Sequence, residues 1–163
     1  MDIDAETRVQ ERPGEHQDEL RLWLRLLTCS TMIESEIRTR LRERFDVTLP
    51  RFDLMAQLHK VPAGMTLGAL SKRMMVSNGN ITGLVETLAS QGLVARTAHA
   101  TDRRATMVCL TAAGHASFGA MAGAHGDWIG ALFEGLAPAE MQLLMSLLDR
   151  MKASVRQATA SPG

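Results

Sequence analysis

The sequence predicts a mainly α fold with a single β-hairpin, and three observations predict it. First, 45% of the 163 residues are apolar but only 4% are aromatic and tyrosine is absent, so packing falls to Leu, Met and Ala, which favour helices. Second, apolar residues recur at three- and four-residue steps through most of the chain. Third, one polar stretch, 97–105, separates two short strand-like runs, 93–96 and 106–110. The length suits one domain with an extension.

Taken in order, residues 1–17 are polar, contain Pro13-Gly14, and read as a flexible arm. A first helix is expected over 18–44, where Leu20, Trp23, Leu24, Leu27, Thr31, Ile37 and Leu41 keep helical spacing without Gly or Pro. At 1.5 Å per residue such a helix spans roughly 40 Å, more than one small core needs, so its surplus face suits a second subunit. Residues 45–49 link it to a second helix that Pro50 opens and that ends near Lys60. After the turn at Pro62-Ala63-Gly64, Thr66 caps a short helix with Leu67, Leu70 and Met74 on one face. A break at Met75-Val76 leads to Ser77, the cap of a helix burying Ile81, Leu84, Val85 and Leu88 until Gly92 stops it. The hairpin follows. Thr111 caps a helix to about residue 136, and Pro138 and Glu140 open the last one, striped by Leu143, Leu144, Leu147, Leu148 and Met151. This gives six helices and a two-stranded hairpin, with the single domain over 18–157 and a tail at 158–163.

Charge is balanced overall, 18 bases against 18 acids, which by itself gives no hint of a polyanionic partner. Its distribution does. Residues 1–19 hold seven acids and two bases, whereas 20–60 and 64–111 each carry a net +3, and phosphates respond to the local field. No run is long and apolar enough for a membrane span and the acidic start is not a signal peptide, so a cytoplasmic protein is expected. Cys29 and Cys109 lack a zinc or disulfide spacing and read as small buried residues or, alternatively, as redox-sensing thiols. The five histidines show no close His or Cys neighbour in sequence, so no metal and no cofactor is expected, and no nucleophile–base pattern or phosphate loop points to an enzyme.

The tight pair of short helices is a helix-turn-helix pattern. The face opposite the core of the Ser77 helix presents Asn78, Gly79, Thr82 and Glu86, flanked by Asn80 and Gly83. Alone, that is equally a solvated surface helix. An Asp102-Arg103-Arg104 tip directly after it adds a wing whose arginine suits the minor groove, while Asn, Thr and Gly suit the base edges of the major groove. Asp102 is expected to hold one arginine in a charge-assisted bond. DNA binding is therefore the favoured reading, as a winged helix-turn-helix.

The order of elements, with Met65-Thr66-Leu67-Gly68-Ala69-Leu70, Val76-Ser77, Ile81-Thr82-Gly83-Leu84-Val85, Gln91-Gly92-Leu93-Val94, Asp102-Arg103-Arg104 and Leu110-Thr111, resembles the MarR family over about residues 20–157. The resemblance implies DNA contacts from Ser77, Asn78, Gly79, Asn80 and Thr82, from Arg103 or Arg104 in the minor groove, and from His99, Lys72 and Arg73 nearby. Where many family members carry a large basic residue after the recognition-helix threonine, this chain has Gly83, which shifts specificity onto Asn78 and Asn80. It further implies a homodimer built by helices over 18–44 and 111–157 around a DNA-binding lobe at 50–110, gripping a palindromic operator in double-stranded DNA. The expected activity is that of a repressor released by a small molecule. The segments 22–29 and 75–80 are similar to regulators of aromatic-acid catabolism of the hydroxycinnamate type, which implies an aromatic acid or its acyl-CoA thioester as effector. Trp23 would stack a ring and Arg25 pair an acid group, with Thr28, Cys29, His59 and Trp128 as further ligand candidates. The plainer alternative for Trp23 is interface packing, and for Arg25 a solvated charge.

Overall fold

A computed structural model describes residues 16–160, so the arm expected at 1–17 lies outside the described residues except for its last two, whereas the tail expected from 158 is helical to Ala160 and only 161–163 lie outside them. The chain divides into two units, 1–125 and 126–163.

In the first unit, helix α1 runs Gln17–Phe45 and stops at Asp46, a left-handed residue whose amide bonds back to Arg42 and Leu41. Only Ile37 and Leu41 of α1 are buried. The N-terminal stripe stays open on the single chain, with Leu20, Trp23 and Leu27 about half exposed, as a helix longer than its own core requires leaves a surplus face. Helix α2, Leu49–His59, starts one residue earlier than expected because Thr48 takes the cap and Pro50 falls inside the first turn, where its missing N–H costs nothing. Helix α3, Leu67–Met74, and helix α4, Asn78–Ser90, follow. Gly92, at φ 71°, ends the connection from α4 with the left-handed backbone expected there.

The hairpin forms from β2, Val94–Ala98, and β3, Thr106–Leu110, with Val94 opposite Leu110 and Ala98 opposite Thr106. Strand β2 thus reaches two residues beyond its expected end. A third strand, β1 at Met65–Thr66, was not expected and pairs antiparallel with Val108 and Met107, giving the order β1-β3-β2. Two residues are too few to show periodicity, and their partner lies more than forty positions away. Gly64 makes this approach possible. It sits at φ +87°, and a Cβ there would lie 2.6 Å from the Val108 carbonyl oxygen.

Helix α5, Ala112–Leu132, begins on this sheet. Thr111 caps it as expected: its Oγ1 accepts from the Gly114 amide at 3.0 Å and donates to the Gly92 carbonyl at 2.7 Å. The buried side chains form one core in this unit: Leu54, Met55 and Leu58 of α2, Leu70, Ile81, Val85, Leu88, Val108 and Met121, each essentially inaccessible to solvent. Removing surfaces of this kind from water is the main stabilising term of the lobe.

The second unit holds the end of α5, which closes four residues short of the expected 136 in a series of tight turns, and helix α6, Pro138–Ala160. Glu140 Oε2 accepts the Ala137 amide at 2.8 Å, which explains the clean start of α6. No described residue of α6 is buried, and Leu143, Met145 and Val155 stay more than half exposed. Among the described residues no helix is long and apolar enough to cross a membrane.

Candidate nucleic-acid interface

Helices α3 and α4 are set by hydrogen bonds that the sequence encodes locally. Thr66 Oγ1 accepts the Ala69 amide at 3.1 Å, and Ser77 Oγ accepts the Asn80 amide at 3.3 Å, so both expected caps form. The turn between them is fixed by Ser71, a residue to which no sequence pattern draws attention. Its Oγ donates to the Val76 carbonyl at 2.5 Å, and its own carbonyl accepts the Val76 amide at 3.2 Å. Met75 takes the left-handed conformation at φ 55° and is 93% exposed.

With Ile81, Val85 and Leu88 buried and Leu84 half-buried, α4 turns Ser77, Asn78, Gly79, Asn80, Gly83 and Glu86 outward. A Cβ at Gly79 or Gly83 would meet nothing within 4 Å, so the first turns present an open backbone flanked by amides. Thr82 is half-buried and its hydroxyl donates to the Asn78 carbonyl at 3.0 Å, which leaves its methyl as the part available for an apolar contact. This end of a helix combines unshielded amides, small side chains and a favourable dipole for phosphate.

The wing tip is built differently from expectation. Asp102 Oδ1 accepts the Arg104 backbone amide at 2.9 Å, forming a side-chain-to-backbone turn in place of a bond to a guanidinium. An aspartate two residues before that amide reaches it more readily than the end of a long side chain. Arg103 and Arg104 are therefore both exposed, as is Arg96 lower on the wing. His99 faces inward to the loop. Its Nδ1 accepts the amides of Thr101 and Asp102 at 3.3 and 3.2 Å and lies 3.2 Å from Thr101 Oγ1, so the neutral ring carries its proton on Nε2. Lys72 is exposed on α3, whereas Arg73 directs Nη1 to Met65 Sδ at 3.8 Å.

A cavity of about 310 Å³ lies between α2 and the end of α3, lined by Pro50, Asp53 and Gln57 of α2, Arg73 and Met74 of α3, and Val76 of the turn before α4. Desolvation, and secondly the charge of Glu34, raise the Asp53 carboxyl above its ordinary range, with His125 opposing them. None of Trp23, Arg25, Thr28, Cys29, His59 or Trp128 lines this cavity. Trp23, Arg25, Thr28 and Cys29 are exposed on α1, and Trp128 is half-buried in the second unit. His59, at the end of α2, instead meets His115 on the first turn of α5, Nδ1 to Nδ1 at 3.2 Å. Cys109 is half-buried on β3 with Sγ 3.9 Å from the Ala95 carbonyl. Both thiols are free, and nothing in their settings or in the relatives supports a redox sensor.

The lobe that carries these features matches the model of the MarR family over residues 47–106. The chain is 29% identical over 139 residues to the transcriptional activatory protein BadR of Rhodopseudomonas palustris (strain ATCC BAA-98 / CGA009), covering 81% of this chain and 79% of that protein. Its fold is similar to the crystal structure of a MarR family transcriptional regulator from Silicibacter pomeroyi, with a TM-score of 0.74, 28% identity, and coverage of 88% of this chain and 99% of that one. A mutant MarR from E. coli complexed with operator DNA shares the fold at a TM-score of 0.72 and 24% identity, over 85% of this chain and 99% of that one. The capped helix pair and the arginine-tipped wing lie in and beside the stretch that matches the MarR family model, and the fold as a whole is similar to that of MarR family transcriptional regulators.

Proposed function

We propose that the protein is a cytoplasmic, ligand-responsive repressor that grips a palindromic operator as a homodimer and lets go when an aromatic acid or its acyl-CoA thioester binds. The observation that carries the DNA half is the open first turn of α4 beside a wing with two exposed arginines. Asn78 and Asn80 would read base edges, with the methyl of Thr82 on a thymine, Ser77 and Gly79 near phosphate, and Arg103 or Arg104 in the minor groove. Lys72 adds charge on the phosphate side. The mutant MarR–operator complex, which shares this fold, supports the same use of the lobe.

The dimer reading rests on apolar surface that one chain leaves in water. Leu20, Leu22, Trp23 and Leu27 on α1, and Leu143, Leu144, Leu147 and Leu148 on α6, are all exposed. Contiguous apolar surface left in water marks association surfaces in soluble proteins. Two copies present two α4 helices, so half-sites lie about one turn, roughly 34 Å, apart. The aromatic effector follows from the resemblance of 22–29 and 75–80 and from Trp23 and Arg25, the ring and the cation such a molecule needs. The cavity between α2 and the end of α3, which Val76 of the turn before α4 also lines, is a second place where a small polar molecule would bias the recognition helix. A ligand acts here only through its preference for one of two lobe spacings.

The test is selection of duplexes from a random pool, followed by fluorescence anisotropy on the winner across salt concentrations. An inverted repeat bound by two chains, with affinity falling steeply as salt rises and release by an aromatic acid or thioester, is expected. A monomer in solution that selects no repeated half-site would defeat the reading. A reporter fused to the selected operator decides the sign, because the relative BadR is an activatory protein; higher expression without the regulator is expected.

A further inference from the structure

His59 and His115 stand 56 residues apart in sequence, so no spacing rule links them, yet the fold sets their Nδ1 atoms 3.2 Å apart. The first closes α2 and the second lies in the opening turn of α5. Their rings meet edge to face, 5.3 Å between centroids at 60°, and His59 also rests on Phe118 at 4.8 Å. Phe118 in turn stacks on Phe52, so an aromatic wall holds one ring of the pair. Neither imidazole is sealed in: His59 is exposed and His115 half-buried.

We propose that this pair is a two-imidazole site for a divalent late first-row transition metal, of the Cu2+, Ni2+ and Zn2+ class. A metal–nitrogen distance of about 2.1 Å converts the 3.2 Å separation into an N–M–N angle of about 100°, between tetrahedral and square geometries. With both Nδ1 atoms on one ion the ring centroids come to about 4.9 Å, a few tenths of an ångström closer than their 5.3 Å, which a small ring tilt supplies. In the neutral pair one Nδ1 proton serves both nitrogens. When the ion takes both lone pairs, that proton moves to Nε2 of the same ring, and no proton is lost from the protein. No further His, Cys, Asp or Glu completes a three-ligand cluster among the described residues, so the remaining positions belong to water or to an anionic small molecule. Because α2 carries part of the cavity lining and α5 starts on the wing's sheet, a bound ion ties together two elements that position α4 and the wing.

The experiment is calorimetric titration of Zn2+ into the chelator-stripped full-length protein, with Cu2+ electron paramagnetic resonance on the same samples. His59→Asn and His115→Asn keep a polar atom where Nδ1 was, so the fold is retained, and His59→Gln and His115→Gln serve if melting says otherwise. One ion per chain is expected, bound at least tenfold more weakly by each single variant. His125→Gln, whose ring stacks on Phe52 and not on the pair, should bind as wild type. The copper spectrum should show two imidazole nitrogens in the wild type and fewer in either variant. Absence of one-to-one binding, or equal affinity in the His59→Asn/His115→Asn double variant, overturns the proposal. Neither result bears on operator binding, which is read without metal.

Discussion

Replacing Gly114 by alanine is a sharp test of how α5 is seated on the wing. An ideal Cβ at position 114 would lie 2.0 Å from the Leu93 carbonyl oxygen, 3.0 Å from its carbon and 3.2 Å from Leu110 Cδ2. A carbon–oxygen contact needs about 3.3 Å, so the start of α5 must retreat by about 1.3 Å from the root of β2. That shift strains the bond from the Thr111 amide to the Leu93 carbonyl, 3.0 Å, and the one from Thr111 Oγ1 to Gly92, 2.7 Å. Overpacking costs about 1–3 kcal/mol and each weakened hydrogen bond about 1 kcal/mol. The better helix propensity of alanine returns at most about 1 kcal/mol. The net loss is about 2–5 kcal/mol, and for a chain of this size Tm falls by about 4–20 °C. Thermal unfolding followed by circular dichroism at fixed protein concentration measures it, with Gly119→Ala as comparator, since a Cβ there meets nothing within 4 Å. A Gly114→Ala protein that melts at or above the wild-type temperature would refute this account of the α5–wing junction.

Three other outcomes follow from the site. His99→Asn keeps an acceptor where Nδ1 sits and should bind operator as wild type, whereas His99→Gln, which mimics Nε2, should bind about 3–10-fold more weakly as the wing tip loosens; the opposite order in anisotropy would mean that Nε2 touches DNA. Arg103→Ala and Arg104→Ala should each weaken binding, and for every phosphate left without its cation the slope of log affinity against log salt should become shallower by about 0.9; unchanged slopes in both would remove the wing from the interface. Because the folded chain raises the Asp53 carboxyl, chiefly by desolvation and then by Glu34, the group favours folding below the ordinary aspartate range, and that advantage is lost as pH rises through the raised value. Asp53→Asn should therefore melt higher than wild type near neutrality, with the gap closing on acidification; a gap that widens toward acid would show the sign to be wrong.

Much of the winged-helix lobe was legible because its signals are local. Thr66, Ser77 and Thr111 each cap a helix through a residue three positions away or nearer, and Gly92 stops α4 by its own backbone conformation, so a short window of sequence contains the whole interaction. The short apolar run at 106–110, set off by the polar loop before it, likewise marked β3 to the residue. What the tertiary structure alone decided are meetings between distant segments: β1 against Val108, Gly114 against Leu93, the cavity shared by α2 and α3, and His59 against His115. It also decided partners among neighbours, turning Asp102 to a backbone amide and His99 into its own loop. Periodicity says that a face is apolar, never what covers it, and so the stripes of α1 and α6 were readable, and the length of α1 pointed to a surplus, while which of their residues stay in water on a single chain was left to the tertiary structure. The physical reason is that caps and turns are settled by a few adjacent torsions, whereas register, cavities and side-chain pairs depend on how the whole core closes.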